Sequence, residues 1–275
     1  PYPHVLAFYD GRIDGKRLIG DAPNWLDDGA YSLGVATYAI FDGDAAIVYD
    51  THVSLAHAGA IRAALTERGV RDIRVVLSHW HLDHVAGNAA FADCEIIAHR
   101  LTRETLIANR QAIESGSCDG LPAITPLVLP TTVYDDTLSI ALGGIDVELH
   151  HFDIHSRDAT VLRLPADGLL LAGDTLEDTV TYVSEPAGLA IHLDELQRLD
   201  SLVCDRSLPN HGDPAVIADG GYPRTLIRAT QQYLRTLLRM PDEPGLRDQP
   251  LQQLIAGPLL GGWLHYYPPY EAVHR

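Results

Sequence analysis

Long apolar runs are missing from this 275-residue chain. Nothing approaches the ~18 consecutive apolar residues of a membrane-spanning helix, so no span is expected. The opening PYPHVLAFYDGR has neither the basic start nor the apolar stretch of a secretory signal, and a cytoplasmic protein is the expectation. Cysteine is scarce. Cys94, Cys118 and Cys204 are odd in number and far apart, and no C-x-x-C occurs, which argues against a disulfide framework and a cysteine-rich zinc module. Basic residues are outnumbered, 20 against 37 acidic, for a formal charge of −17. Such a surface repels phosphate backbones, so nucleic acid is not an expected partner. A small-molecule substrate and divalent cations suit that field better. No G-x-S-x-G is present, so a serine nucleophile elbow is not expected.

What the chain does contain is 46% hydrophobic residues, enough for one large α/β domain or two small ones. Val35–Phe41 and Ala45–Tyr49 read as strands around Asp42-Gly43-Asp44, a hairpin signal. Helical periodicity covers Ser54–Arg68 and stops at Gly69. Ile73–Leu77 is a short β-branched run that ends directly at Ser78-His79. A strand (Glu95–Ala98), a helix (Leu101–Ile113) and a mobile loop (Glu114–Pro130) are expected next. Strands resume at Thr137–Leu142, Ile145–His151, Ala159–Leu164 and Leu169–Ala172; helices cover Leu189–Leu202, Pro223–Leu238 and a short stretch near Leu251–Ala256. Strands thus fall in two blocks accompanied by helices, with no linker between them. The expectation is a single domain over residues 1–275, helices outside sheets, with a C-terminal helical and aromatic extension from about residue 222.

Fourteen histidines carry more information, because several recur at fixed short spacings. Ser78-His79-Trp80-His81-Leu82-Asp83-His84 leaves a strand end and closes near Gly87. On an extended strand His84 would face away from His79, His81 and Asp83, whereas a turn lets all four donors gather. Packing does not explain four such side chains together, since each would need its own polar partner if buried. Neutral imidazole and carboxylate suit zinc.

The H-x-H-x-D-H pattern after a buried strand resembles the signature of the metallo-β-lactamase superfamily. Asp50, closing Ala45–Tyr49, is similar to that family's aspartate behind the ligands; read alone, it is a strand-ending turn residue. His155 matches the third histidine, although the Pro-Gly that commonly precedes it is absent, and His150 and His151 are rivals. Asp174 in Gly173-Asp174 and His211 in Asn210-His211-Gly212 resemble the remaining motifs. Taken alone, Asp174 is an ordinary turn residue.

The resemblance spans roughly residues 35–212 and implies a four-layer αβ/βα sandwich of two mixed β-sheets with outer helices. It implies two Zn2+ ions, with iron or manganese as other ions for the same donors. One would be held by His79, His81 and His155, the other by Asp83, His84 and His211, with Asp174 bridging. The chemistry implied is hydrolysis by a bridging hydroxide, with Asp83 as a catalytic proton donor to the leaving group. A bridging aspartate is typical of the thioesterases, lactonases and phosphodiester-cleaving members, so a small-molecule lactone, ester or thioester is the expected substrate. Alternatives are a mononuclear iron sulfur dioxygenase, a β-lactamase or phosphodiesterase of the same fold, and a non-catalytic sensor. Tyr182 is a second catalytic candidate, as a hydrogen-bond donor to substrate, against a packing role. Trp80, Trp263, His265, Tyr266 and Tyr267 read as a pocket wall, a core edge or a homodimer contact.

Overall fold

The computed structural model describes residues 1–13, 24–180 and 186–271. Among them, twelve strands form two six-stranded sheets. The first runs β1 (Val5–Asp10), β2 (Val35–Asp42), β3 (Ala45–Tyr49), β4 (Asp72–Val76), β5 (Glu95–His99), β6 (Thr132–Tyr134) in spatial order. β1 to β3 pair antiparallel and β3 to β6 parallel, so the sheet is mixed. The second has the order β12 (Tyr222–Pro223), β11 (Arg206–Pro209), β10 (Leu169–Gly173), β9 (Ser156–Leu164), β8 (Ile145–Ile154), β7 (Thr137–Leu142). Only its β10–β11 pair is parallel.

The two covered faces of the first sheet explain why a central strand such as β3 is apolar throughout rather than alternating. Ile47 and Tyr49 point into the core shared with the second sheet, while Ala46 and Val48 point to the outer helices. Val76 divides from Val75 and Leu77 in the same way. Helix Leu55–Glu67 closes the outer face through Ala58, Ile61 and Leu65, and Ser54 caps its start by accepting from His57 N. Each fully buried Leu or Ile contributes about 1.5–3 kcal/mol. On the other side, helix Leu189–Asp200 packs on β8 and against helix Thr225–Arg239. The result is the αβ/βα sandwich of two mixed sheets. Among the described residues no helix is long and apolar enough to cross a membrane.

Several local expectations need correction. Residues 116–130 are pinned, not loose: Ile124 and Leu127 are buried, Leu127 N donates to Glu114 Oε1 at 3.0 Å, and Asn88 Nδ2 donates to Val128 O at 2.9 Å. The preceding helix reaches Ser115, so Glu114 belongs to it. β8 continues past His151 to Ile154. The short C-terminal helix is two turns, Leu251–Leu254 and Ala256–Leu260. Tyr222, where the extension was expected to begin, lies in the edge strand of the second sheet.

Candidate metal centre

The candidate donors meet at one end of the sandwich because nearly all follow a strand's C-terminal end. Asp50 follows β3, His79 follows β4, Asp174 follows β10 and His211 follows β11. Ends of strands are where a sheet leaves a crevice open to a ligand. Cross-sheet hydrogen bonds hold the two rims in register there. Tyr38 Oη donates to Pro209 O and Tyr49 Oη to Thr160 O, both at 2.5 Å, and Thr160 N donates to Ser78 O at 2.7 Å. Two glycines are required by this closeness. A Cβ on Gly173 (φ +57°) would stand 2.9 Å from Ser78 Cβ, and one on Gly87 would meet Thr51 O at 2.1 Å.

The seven donors fall into two adjoining groups, His79, His81, His155, Asp174 and Asp83, His84, His211. In the first, His81 Nδ1 lies 2.9 Å from His79 Nε2 and 3.0 Å from His155 Nε2. In the second, Asp83 Oδ2 is 3.3 Å from His211 Nε2, and Asp83 Oδ1 is 3.5 Å from His84 Nε2. Asp174 Oδ2 touches both groups: it is 3.1 Å from His84 Nε2, 3.2 Å from His211 Nε2, and 3.6 Å from both His79 and His155 Nε2.

These donors fit cations. A single hydrogen bond satisfies His81 Nδ1 toward one neighbour only, so a second imidazole lone pair faces it without a proton between them. Asp174 Oδ1 is buried with no hydrogen-bond partner among the described residues. Imidazole and carboxylate together are a zinc-type donor set.

The atoms behind the donors fix which ring nitrogen carries the proton. Asp50 accepts from His84 Nδ1 at 2.9 Å, Ser78 N and Ser78 Oγ at 2.6 Å, and Asn210 Nδ2 at 2.5 Å. Ser78 Oγ, its proton committed to Asp50, accepts from His79 Nδ1 at 2.9 Å. His211 Nδ1 donates to Gly34 O at 2.7 Å. Each bond leaves the Nε2 lone pair aimed into the centre. His81, by contrast, offers Nδ1, its ring edge-on to Trp80 at 5.0 Å.

The two groups differ in charge. Burial holds His79 well below the usual imidazole value, helped by His84 and His81; it lowers His81 as well and pushes His155 down to about 3. Burial acts equally against protonated His84 and His211, but Asp174 and Asp83 outweigh it, with Asp50 adding to the effect at His84. Both are held well above the usual value. Burial raises Asp83 and Asp174, yet the facing imidazoles win and lower them. The three histidines of the first group are thus ready as neutral donors. A cation entering the second group displaces protons.

Of the histidine rivals, neither reaches the centre. His150 Nε2 lies 3.2 Å from Glu148, and His151 Nε2 donates to Arg157 O at 2.7 Å. Tyr182 lies outside the described residues. Trp80 packs with the outer core of the first sheet, whereas Trp263, Tyr266 and Tyr267 pack with the core of the second, so the aromatic set belongs to two clusters. Sequence reasoning gave no role to Ser78, Asn210 or buried Glu177. Ser78 and Asn210 abut candidate donor histidines, which is their only signal; Glu177 has none in the sequence.

A twelve-stranded αβ/βα sandwich with two donor groups joined by one aspartate defines a class of metalloproteins. Residues 31–211 match the model of the metallo-β-lactamase superfamily, well over half the chain, and the protein belongs to that family. Among curated proteins it is 27% identical over 216 residues to the atrochrysone carboxyl ACP thioesterase of Emericella nidulans, covering 76% of this chain and 62% of the relative. It is 25% identical over 199 residues to a β-lactamase-like protein 2 homolog of Caenorhabditis elegans, covering 71% and 60%. The chain therefore spans about three fifths of the length of these relatives. Solved structures of similar fold include VMB-1, with TM-score 0.64, 16% identity and 86% and 95% of the two chains covered. A metallo-β-lactamase from Pontibacter korlensis aligns with TM-score 0.59, 17% identity and 74% and 87% coverage.

Proposed function

We propose that this hydrolase cleaves a small-molecule thioester, ester or lactone at a two-zinc centre. The observation that carries the reading is Asp174 Oδ2, within 3.1–3.6 Å of imidazole nitrogens from both donor groups. One zinc would be held by His79, His81 and His155 and the other by Asp83, His84 and His211, with Asp174 shared. When bound, such ions lower the pKa of water toward ~7 and polarise an acyl oxygen. The thioesterase relatives support an acyl substrate.

The chain's own residues do the rest. Asp50, Ser78 and Gly34 O keep protons on the outward ring nitrogens of His84, His79 and His211. Asp174 is 3% exposed at its side chain and Asp83 is 17% exposed. Asp83 is therefore the carboxylate that a leaving group can reach; ionised as it stands, it would take the proton given up by the attacking water and hand that proton to the departing sulfur or oxygen. The acidic surface favours a substrate that is not polyanionic.

Elemental analysis of the purified protein, followed by thioester, ester, lactone and phosphodiester substrates, tests the proposal. Two equivalents of zinc with acyl cleavage are expected. One iron with oxygen uptake on a persulfide, or turnover of phosphodiesters alone, would refute it.

A further inference from the structure

Glu177 stands three residues beyond Asp174, is 1% exposed, and has no part in the chemistry above. Burying a carboxylate is costly unless its charge is used. Here the charge faces His155: Glu177 Oε1 lies 3.7 Å from His155 Nδ1. Glu177 Oε2 accepts from Tyr270 Oη at 3.0 Å and from Thr179 Oγ1 at 3.4 Å.

His155 has particular need of restraint. It connects β8 to β9 with φ +65°, a strained conformation for a non-glycine residue. Asp50, Ser78 and Gly34 O act behind His84, His79 and His211. Glu177 occupies the equivalent place behind His155. The 3.7 Å separation is longer than a formed hydrogen bond, and it sets a carboxylate against the dipole of a neutral imidazole. Its field still favours the proton on Nδ1 and leaves Nε2 to the donor group.

The hydroxyl that holds Glu177 comes from 93 residues further along the chain. Tyr270 is buried in the turn Pro268–Glu271, its ring edge-on to Tyr267 at 5.0 Å. Tyr267 Oη donates to Ser32 Oγ, and His265 N donates to Asp178 O. This tail is therefore fastened at successive points beside the segment that follows Asp174.

We infer that Glu177 is a positioning residue for His155, and that Tyr270 makes the C-terminal tail a working part of the metal centre. The inference rests on the ligand role of His155 and not on the substrate.

The test is zinc affinity of the intact chain, stripped and reloaded, read by competition with a chromophoric chelator. Glu177→Gln keeps the shape and removes the charge. It should weaken one zinc equivalent about 10–100-fold, the same equivalent that His155→Ala abolishes, with the far-UV circular dichroism unchanged. Glu177→Asp should recover part of the loss, and Tyr270→Phe should weaken the same equivalent severalfold. Zinc binding by Glu177→Gln within twofold of the starting protein overturns the inference, as does equal weakening of both equivalents. If Glu177→Gln fails to fold, Tyr270→Phe decides, and unchanged affinity there is fatal to it. Because turnover is never read, a failure to hydrolyse any acyl substrate leaves this result standing.

Discussion

His84 Nδ1 donates to Asp50 Oδ2 at 2.9 Å, and neither side chain has any solvent exposure. The same carboxylate collects the Ser78 N–H and hydroxyl and the Asn210 amide, so one aspartate joins β3, the histidine-rich turn and the loop bearing His211. Asp50 itself sits at φ +66°, a strained backbone held by those four bonds. The pair explains how short loops from two sheets hold the candidate donors in fixed tautomers.

Asp50→Ala should therefore damage both folding and metal binding. It strands a buried imidazole N–H, an amide and a backbone N–H, for a stability loss of about 3–5 kcal/mol. Zinc affinity should fall by about 10–100-fold. Urea unfolding and chelator competition measure the two effects separately. A loss below about 1 kcal/mol would contradict the role given to this carboxylate.

Asp174→Asn removes the charge shared by both donor groups. Replacing an outer partner of a ligand costs about 10–100-fold, so loss of a shared ligand should exceed roughly 100-fold in turnover. Zinc content should drop by about one equivalent. Full metal content with unaltered turnover would show that the two groups do not depend on this bridge.

Asp83→Asn separates proton delivery from binding. If Asp83 protonates the leaving group, turnover should fall about 10²–10⁴-fold for poor leaving groups and much less for activated ones such as nitrophenyl esters. Equal losses for both, measured at matched zinc content, would assign Asp83 to ligation alone.

Metal removal should lower thermal stability in a saturable way. A ligand at 100 times its Kd stabilises by about 2.7 kcal/mol, which corresponds to roughly 5–10 °C for a chain of this size. Differential scanning fluorimetry with chelator and then graded zinc reads this directly. A Tm insensitive to both would exclude a metal bound to the native state.

His52 should make the metal-free protein acid-sensitive. It is 1% exposed, accepts from Val53 N at 2.9 Å and stacks on His57 at 4.3 Å; burial, then His57, pushes its pKa down to about 3 against partial opposition from Asp10. The unfolded chain protonates near 6.5 and the folded chain does not. Its contribution is thus complete above about 6.5 and is lost as pH falls toward 3, at up to about 1.4 kcal/mol per pH unit. His52 has φ +65°, which asparagine tolerates. His52→Asn should flatten the stability slope between pH 6.5 and 4 in urea titrations. An unchanged slope would place the acid sensitivity elsewhere.

Much of the fold could be read from the chain because the long central strands and outer helices have strong periodicity. β6, β11 and β12 have only 3, 4 and 2 residues, too few for any periodic signal, and they form by pairing with a neighbour that already exists. The loop after Ser115 misled for a related reason. Its glycines and prolines signal irregular backbone, but Ile124 and Leu127 anchor it through contacts no local pattern contains.

The four donors of the histidine-rich turn, and the turn that gathers them, reside in the sequence, since strand periodicity and ligand chemistry are local properties; His155, Asp174 and His211 are legible only through the order of motifs in the family the chain resembles. The sequence already favours His155 over His150 and His151, but what brings it alone to the centre is the β8–β9 connection, where a positive φ turns its ring inward and leaves the others along the strand. The same holds for Glu177, an acid like any other until Tyr270 and His155 arrive from distant parts of the chain. Burial and convergence depend on how two sheets close on each other, and that is a property of the packed molecule alone.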